Sequence, residues 1–173
     1  IVSRPFNSTE LYRSYDWYFN RKGPICLILS RGDIEYCPSN DDVSKGGYKL
    51  FVDNSCDAYI LSSGSEVPLA IEVMDKLENY YNVNVVSMLS LEIFEEQNNR
   101  YKNSILSKPI FVIESGTCVK YLKYTSEDKI FSVKSFGTSG DEANLKKKYG
   151  YTSDIIAKKI INVMKKENLK EGK

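Results

Sequence analysis

Histidine is absent from all 173 residues. Without it the chain can assemble no Ser-His-Asp triad, no Cys–His dyad and no imidazole proton shuttle, and a Cys/His zinc site is excluded as well. The four cysteines, Cys26, Cys37, Cys56 and Cys118, form no CxxC pair. Scattered thiols suit a reducing compartment and read as small buried hydrophobes. Charge of either sign is not in excess: 24 Lys and Arg against 23 Asp and Glu leave +1. That balance gives no electrostatic case for nucleic acid or an anionic membrane. No apolar run is long enough to span a bilayer, and no secretory apolar segment is present. Residue 1 is Ile rather than Met, so the chain reads as a piece of a longer one and the missing leader carries no weight. There is no internal repeat and no low-complexity block.

Hydrophobic residues make up 42% and charged residues 27%, which places the chain in the soluble globular class. The length suits one domain, or one domain plus part of another, with a core that needs no disulfide. The organising stretch runs from Tyr59 to Pro68. Tyr59 to Leu61 read as a buried strand, Ser62-Ser63-Gly64 as a tight turn, and Ser65 as the N-cap of a helix with Glu66 and Pro68 in its first turn. Val67, Ala70, Met74, Leu77 and Tyr81 recur at spacings of three and four, one helical face. Asn82 closes that helix and Val83 to Leu89 begin the next strand. A strand–helix–strand unit of this kind builds parallel sheets, an α/β fold.

Before this unit, Asn7 or Ser8 can cap a helix whose apolar face is Leu11, Tyr15 and Tyr18, stopped by Gly23-Pro24. Ile25 to Leu29 is a continuous apolar run that fits the interior of a parallel sheet. One helix and one strand cannot bury their own faces, so this part reads as the end of an incomplete domain with exposed apolar surface. Cys37 to Gly47 is rich in turn residues and reads as a linker. Tyr48 to Val52 read as an edge strand, and Leu91 to Phe94 as a short helix capped by Ser90. Asn98 to Leu106 are irregular or helical, and Pro109 to Glu114 a buried strand. Val119 to Tyr124 read as a short helix and Ile130 to Val133 as a strand. Asp141 caps Glu142 to Tyr149. Thr152 caps a last helix with Ile156, Ile160, Val163 and Met164 on one face, before a frayed Lys-rich tail.

Ser30-Arg31-Gly32-Asp33 lies at the carboxyl end of the Ile25–Leu29 strand, the edge where open α/β sheets place ligands. The Arg31 guanidinium suits a phosphate through forked hydrogen bonds; an ordinary surface or ion-paired arginine is the other reading. The Ser62 to Ser65 turn has the form of an anion-binding helix start, but Glu66 would repel a phosphate and Pro68 removes a donor, which favours a structural turn. No GxGxxG accompanies Gly64. Asp41-Asp42, Glu95-Glu96 and Glu127-Asp128 are adjacent acids that point apart, and they read as solvated surface.

In order along the chain, Arg4-Pro5, Gly23-Pro24, Leu29-Ser30-Arg31 and Lys45-Gly46-Gly47-Tyr48 are followed by Ser63-Gly64-Ser65-Glu66-Val67 and Val85-Val86-Ser87-Met88. Phe94-Glu95-x-Gln97, Tyr101, Ser104-Ile105-Leu106, Ile113-Glu114-x-Gly116, Phe136-Gly137-x-Ser139-Gly140 and Tyr149-Gly150-Tyr151-Thr152 complete the set. This ordered set resembles the transketolase family, at its C-terminal domain with the approach to it. The resemblance implies a three-layer α/β sandwich with a mostly parallel five-stranded sheet at residues 48–168. It implies the end of a pyrimidine-binding domain at 1–36, a linker at 37–47 and a tail at 169–173. Where this chain has Lys134, Val119 and Asn7, the family commonly has an aspartate, a tryptophan and an acid; these departures concern surface contacts.

The resemblance further implies a cytoplasmic homodimer that uses thiamine diphosphate and Mg²⁺ or Ca²⁺. It would transfer a two-carbon ketol unit between sugar phosphates in the pentose phosphate pathway. Its active sites lie between subunits and are built from two N-terminal domains. One functional residue is carried over: Arg31 matches the arginine that binds the substrate phosphate. No catalytic, cofactor-binding or metal-binding residue falls in the chain, which by itself is expected to be inactive and to bind neither nucleic acid nor membrane. The alternatives are a non-catalytic binding or regulatory module that keeps the fold, and the related dehydrogenase E1 β chains.

Overall fold

A computed structural model of the chain describes residues 1–32, 41–51 and 55–171. Among the described residues are seven strands and six α-helices. They are β1 (Val2–Ser3), α1 (Ser8–Asn20), β2 (Cys26–Leu27), β3 (Tyr48–Lys49), β4 (Ala58–Ser62), α2 (Val67–Leu77), β5 (Val83–Ser87), α3 (Leu91–Glu95), α4 (Asn99–Leu106), β6 (Ile110–Ile113), β7 (Ile130–Phe131), α5 (Glu142–Lys148) and α6 (Ser153–Glu171). Part of the expected linker, with Cys37, and the Val52 end of the expected edge strand lie outside the described residues.

Five strands form one sheet in the order β3-β5-β4-β6-β7, with β3 antiparallel at the edge and the other neighbours parallel. This is the mostly parallel five-stranded α/β sheet that the sequence leads one to expect. Its strands are buried on both faces because each has apolar residues at both parities. Ala58 and Ile60 of β4, Val85 of β5 and Phe111 and Ile113 of β6 face one core, which α2 and α6 close with Val67, Ala70, Val73, Leu77, Ile156 and Ile160. Tyr59 and Leu61 of β4, Val86 of β5 and Ile110 and Val112 of β6 face the other, closed by Phe94, Ile105 and Tyr121. The α2 stripe is Val67, Ala70, Val73 and Leu77; Met74 and Tyr81 lie at its margin. Among the described residues no helix is long and apolar enough to cross a membrane.

Three local expectations are corrected. Ser65 does not cap α2: Gly64–Glu66 tighten into a 3₁₀ turn and Glu66 takes the cap position, while the Ser65 hydroxyl bonds Glu66 Oε1 at 3.2 Å. Helix α1 buries Glu10, Ser14 and Trp17 rather than Leu11, Tyr15 and Tyr18. Polar partners decide this face: Glu10 meets Tyr48 and Ser87, and the Ser14 hydroxyl bonds that of Ser3 at 2.6 Å. The apolar run at Ile25–Leu29 forms only a short strand, β2, paired in parallel with β1, and Ile28 and Leu29 stand exposed.

Candidate functional site

The sheet has one topological switch point. From β4 the chain crosses to β5 on one side and then to β6 on the other, so a crevice opens at the carboxyl ends of β4 and β6. The strand ends bring Ser63 and Glu66 from one side, and Glu114 and Ser115 from the other. Ser63 Oγ donates to Glu114 Oε2 at 2.6 Å, and Ser115 Oγ donates to Glu66 Oε1 at 2.6 Å. Arg4, from the segment after β1, places Nη1 on Glu114 Oε1 and Nη2 on Glu66 Oε2, the latter at 3.0 Å. Glu114 is 1% exposed. Burial pulls the Arg4 pKa down, but the carboxylates of Glu114 and Glu66 more than offset this, and the guanidinium is held above its ordinary value. The Tyr151 hydroxyl is buried without a hydrogen-bond partner among the described residues and the Tyr121 hydroxyl is buried beside Ser63; burial first, then the neighbouring carboxylates, push both phenols up.

The serine-rich turn serves this network rather than an anion. Ser62 Oγ donates to the Ile113 carbonyl at 2.9 Å, and Ser63 and Ser65 donate to carboxylates. Cys118 is a free, part-buried thiol whose Sγ lies on the carbonyls of Glu114 and Gly116, and burial, with Glu114 beside it, pushes its pKa up. Cys26 is free and exposed, and Cys56 free and buried.

Arg31 stands apart, on the two-stranded piece. It follows the exposed end of β2, where Ser30 Oγ closes a turn onto the Gly32 carbonyl at 3.0 Å. Its guanidinium is exposed and makes no ion pair among the described residues. Among the described residues no hydrogen bond or ion pair joins it to the crevice residues Arg4, Glu66 and Glu114. Among the paired acids, separate partners engage Glu95, with Lys123 at 2.8 Å and Lys102 at 3.6 Å, Glu96, with Arg21 at 2.5 Å, and Glu127, with Lys134 at 2.8 Å. Among the described residues no three His, Cys, Asp or Glu gather as a metal site would need.

The arrangement defines a class: an open, mostly parallel α/β domain covered on both faces, its switch-point crevice closed by an arginine from the preceding segment. The family model described as "Transketolase-like TK C-terminal domain" matches residues 46–152. The chloroplastic transketolase of Zea mays is 33% identical over 168 residues, 90% of this chain and 25% of its own length. A transketolase of Buchnera aphidicola is 34% identical over 175 residues, 95% of this chain and 26% of its own length. A solved transketolase from Pichia stipitis, in complex with sedoheptulose-7-phosphate, superposes with TM-score 0.83 at 29% identity over 91% of this chain and 24% of that one. The chain belongs to the transketolase C-terminal domain family, and it spans about a quarter of the length of the curated relatives it matches.

Proposed function

We infer that the chain is the C-terminal part of a transketolase, the transferase that moves a two-carbon ketol unit between sugar phosphates. The observation that carries this reading is similarity to whole transketolases over nine-tenths of the chain or more, on top of the family match. Residues 1–36 are then the end of the pyrimidine-binding domain, 37–47 a linker, 48–168 the C-terminal domain and 169–173 a tail. The sugar phosphate bound in the Pichia stipitis relative supports the same substrate class here. The full-length protein is a cytoplasmic homodimer of the pentose phosphate pathway in this reading.

Thiamine diphosphate and its Mg²⁺ or Ca²⁺ do not fit the described residues. The Ser62, Ser63 and Ser65 hydroxyls are committed to protein acceptors, and Glu66 stands in the turn that would face a diphosphate. The two carboxylates that do meet, Glu66 and Glu114, are paired with Arg4 rather than gathered with a third ligand. In the proposal the cofactor is held by segments outside this chain, and nothing in the described residues handles its chemistry. What the chain contributes is Arg31, exposed at the carboxyl end of β2, where a forked guanidinium can take a phosphate.

Two measurements test this. Losing one charge-assisted phosphate contact costs about 1.5–3 kcal/mol, so Arg31→Ala in the full-length enzyme raises the sugar-phosphate KM roughly ten- to a hundredfold with kcat little changed. An unchanged KM removes Arg31 from the site. The purified chain alone is expected to transfer no ketol unit, and turnover by it overturns the division of labour. A non-catalytic module remains the competitor, and an upstream reading frame without the Gly-Asp-Gly…Asn metal-diphosphate motif would favour it.

A further inference from the structure

Arg4 occupies the place where an open α/β sheet receives a ligand. The crevice is built for what fills it. Each of its acids is tied by a serine from the opposite strand end: Glu114 by Ser63, Glu66 by Ser115. Each carboxylate therefore has one oxygen fixed and the other, Oε1 of Glu114 or Oε2 of Glu66, turned to a common point. Two acceptors on two separate carboxylates suit the two prongs of a planar fork and not the single point charge of an ammonium. The buried hydroxyls of Tyr121, beside Ser63, and Tyr151, which has no hydrogen-bond partner among the described residues, lie within electrostatic reach of the same group and add a polar wall.

We propose that the crevice between β4 and β6 is a guanidinium-binding site whose ligand, Arg4, is supplied by the chain itself, and that this filling joins the β1–β2 piece to the five-stranded sheet. Without Arg4 the two carboxylates in the crevice have no other cation among the described residues, a state that burial penalises severely. The joint is short and direct. Arg4 follows β1, and its backbone N–H donates to the Leu89 carbonyl at 2.9 Å. Cys26 N–H on the Ile1 carbonyl and Ile28 N–H on the Ser3 carbonyl, both at 2.9 Å, tie β2 to β1. Whatever holds Arg4 thus also holds β2, the strand that leads towards Ser30-Arg31. The proposal is independent of what the full-length protein catalyses.

The test is chemical rescue of the 173-residue chain, read as thermal stability. Breaking one partner from a buried pair of this kind lowers Tm by roughly 6–12 °C for a chain of this size, the loss expected for Arg4→Ala. Millimolar N-ethylguanidinium, which replaces the deleted atoms, raises the Tm of Arg4→Ala. It leaves wild type unmoved, because the crevice is already full, and it does not rescue Arg4→Ala combined with Glu114→Gln. Ethylammonium at the same concentration rescues less. Equal shifts in wild type and Arg4→Ala, or an Arg4→Ala chain as stable as wild type, overturn the proposal. Should Arg4→Ala not fold, Arg4→Lys, which keeps charge but not the fork, is expected to fold with reduced Tm and to be stabilised by N-ethylguanidinium. An Arg4→Lys chain equal to wild type overturns the proposal just as firmly.

Discussion

Glu10 is fully buried on α1 and no cation pairs with it among the described residues. It accepts hydrogen bonds from Ser87 Oγ at 2.5 Å, Phe6 N at 2.8 Å and Tyr48 Oη at 2.8 Å. Those three donors favour the carboxylate, yet removal from water outweighs them and pushes the pKa up to about 7. The folded state therefore holds this proton more tightly than the unfolded chain does. Its contribution to stability is full below the unfolded value, near 4.5, and is lost as pH rises through about 7. Between about pH 5 and about pH 9 the wild-type chain is expected to lose on the order of 2–3 kcal/mol from this group. Glu10→Gln removes the titration, so its urea midpoint varies less across that range. It sits lower at acid pH because the amide presents a donor to the Phe6 N–H. Parallel wild-type and variant profiles would return Glu10 to ordinary carboxylate behaviour.

At the scale of elements, the turn that delivers the chain into β3 shows what glycine does here. Gly46 has φ +80°, and a Cβ on it would lie 2.6 Å from both the Phe94 nitrogen and the Ser90 oxygen. Its own carbonyl accepts from the Ser90 N–H at 2.8 Å, so the turn rests directly on the start of α3. A Cβ on Gly47 instead meets only side chains, Met88 Sδ at 2.7 Å and the Phe94 ring at 3.0 Å, and the methionine is the one that yields most readily. Gly46→Ala is expected to cost roughly 2–4 kcal/mol and Gly47→Ala about 1 kcal/mol or less, read as urea midpoints. Equal losses would mean that the α3 backbone yields as readily as a methionine. By composition these glycines read as linker, and only the family resemblance marks Lys45-Gly46-Gly47-Tyr48 as a motif. Local patterns fare better: β4, α2 and β5 follow from an apolar run and a three-and-four spacing, and Asn7 and Asp141 cap α1 and α5 as their residue types suggest. Patterns fail where a distant partner decides. The Leu11, Tyr15 and Tyr18 spacing marks the apolar side of α1, but Tyr48 and Ser87 claim Glu10 on the other. Arg4 is separated by 62 and 110 residues from its two acids, so nothing local announces the crevice. The one hint was Glu114 itself, a charge closing an otherwise apolar strand. Arg31 is singled out as a candidate by its place after an apolar run, and the family resemblance strengthens the phosphate reading over that of an ordinary surface arginine.

For the whole molecule, the question is whether the first thirty residues and the five-stranded sheet unfold as one. The contacts between them are few and dissimilar. Phe6 and Trp17 join the core shared with α2 and α6. Glu10 reaches Tyr48 and Ser87, Arg4 reaches Glu66 and Glu114, and Arg21 pairs with Glu96 across an exposed gap. The exposed pair adds little, since solvent screens it, so the buried acids and the two aromatic side chains carry the coupling. Trp17 is the single tryptophan, which makes the coupling visible. In wild type, fluorescence from Trp17 and far-UV circular dichroism, dominated by the helices of the sheet domain, are expected to report one coincident urea transition. Arg4→Ala removes the strongest polar tie while leaving α2, α6 and both sheet cores intact. Its Trp17 transition should therefore move to lower urea than its dichroism transition, with the early step shallower because less surface is exposed in it. Coincident transitions in both proteins, shifted equally, would mean that the remaining ties, Phe6, Trp17 and Glu10 among them, suffice to bind the two parts and that the Arg4 crevice stabilises without joining. Separated transitions already in wild type would mean that α1 leaves the sheet domain before it unfolds, with Arg4 in place.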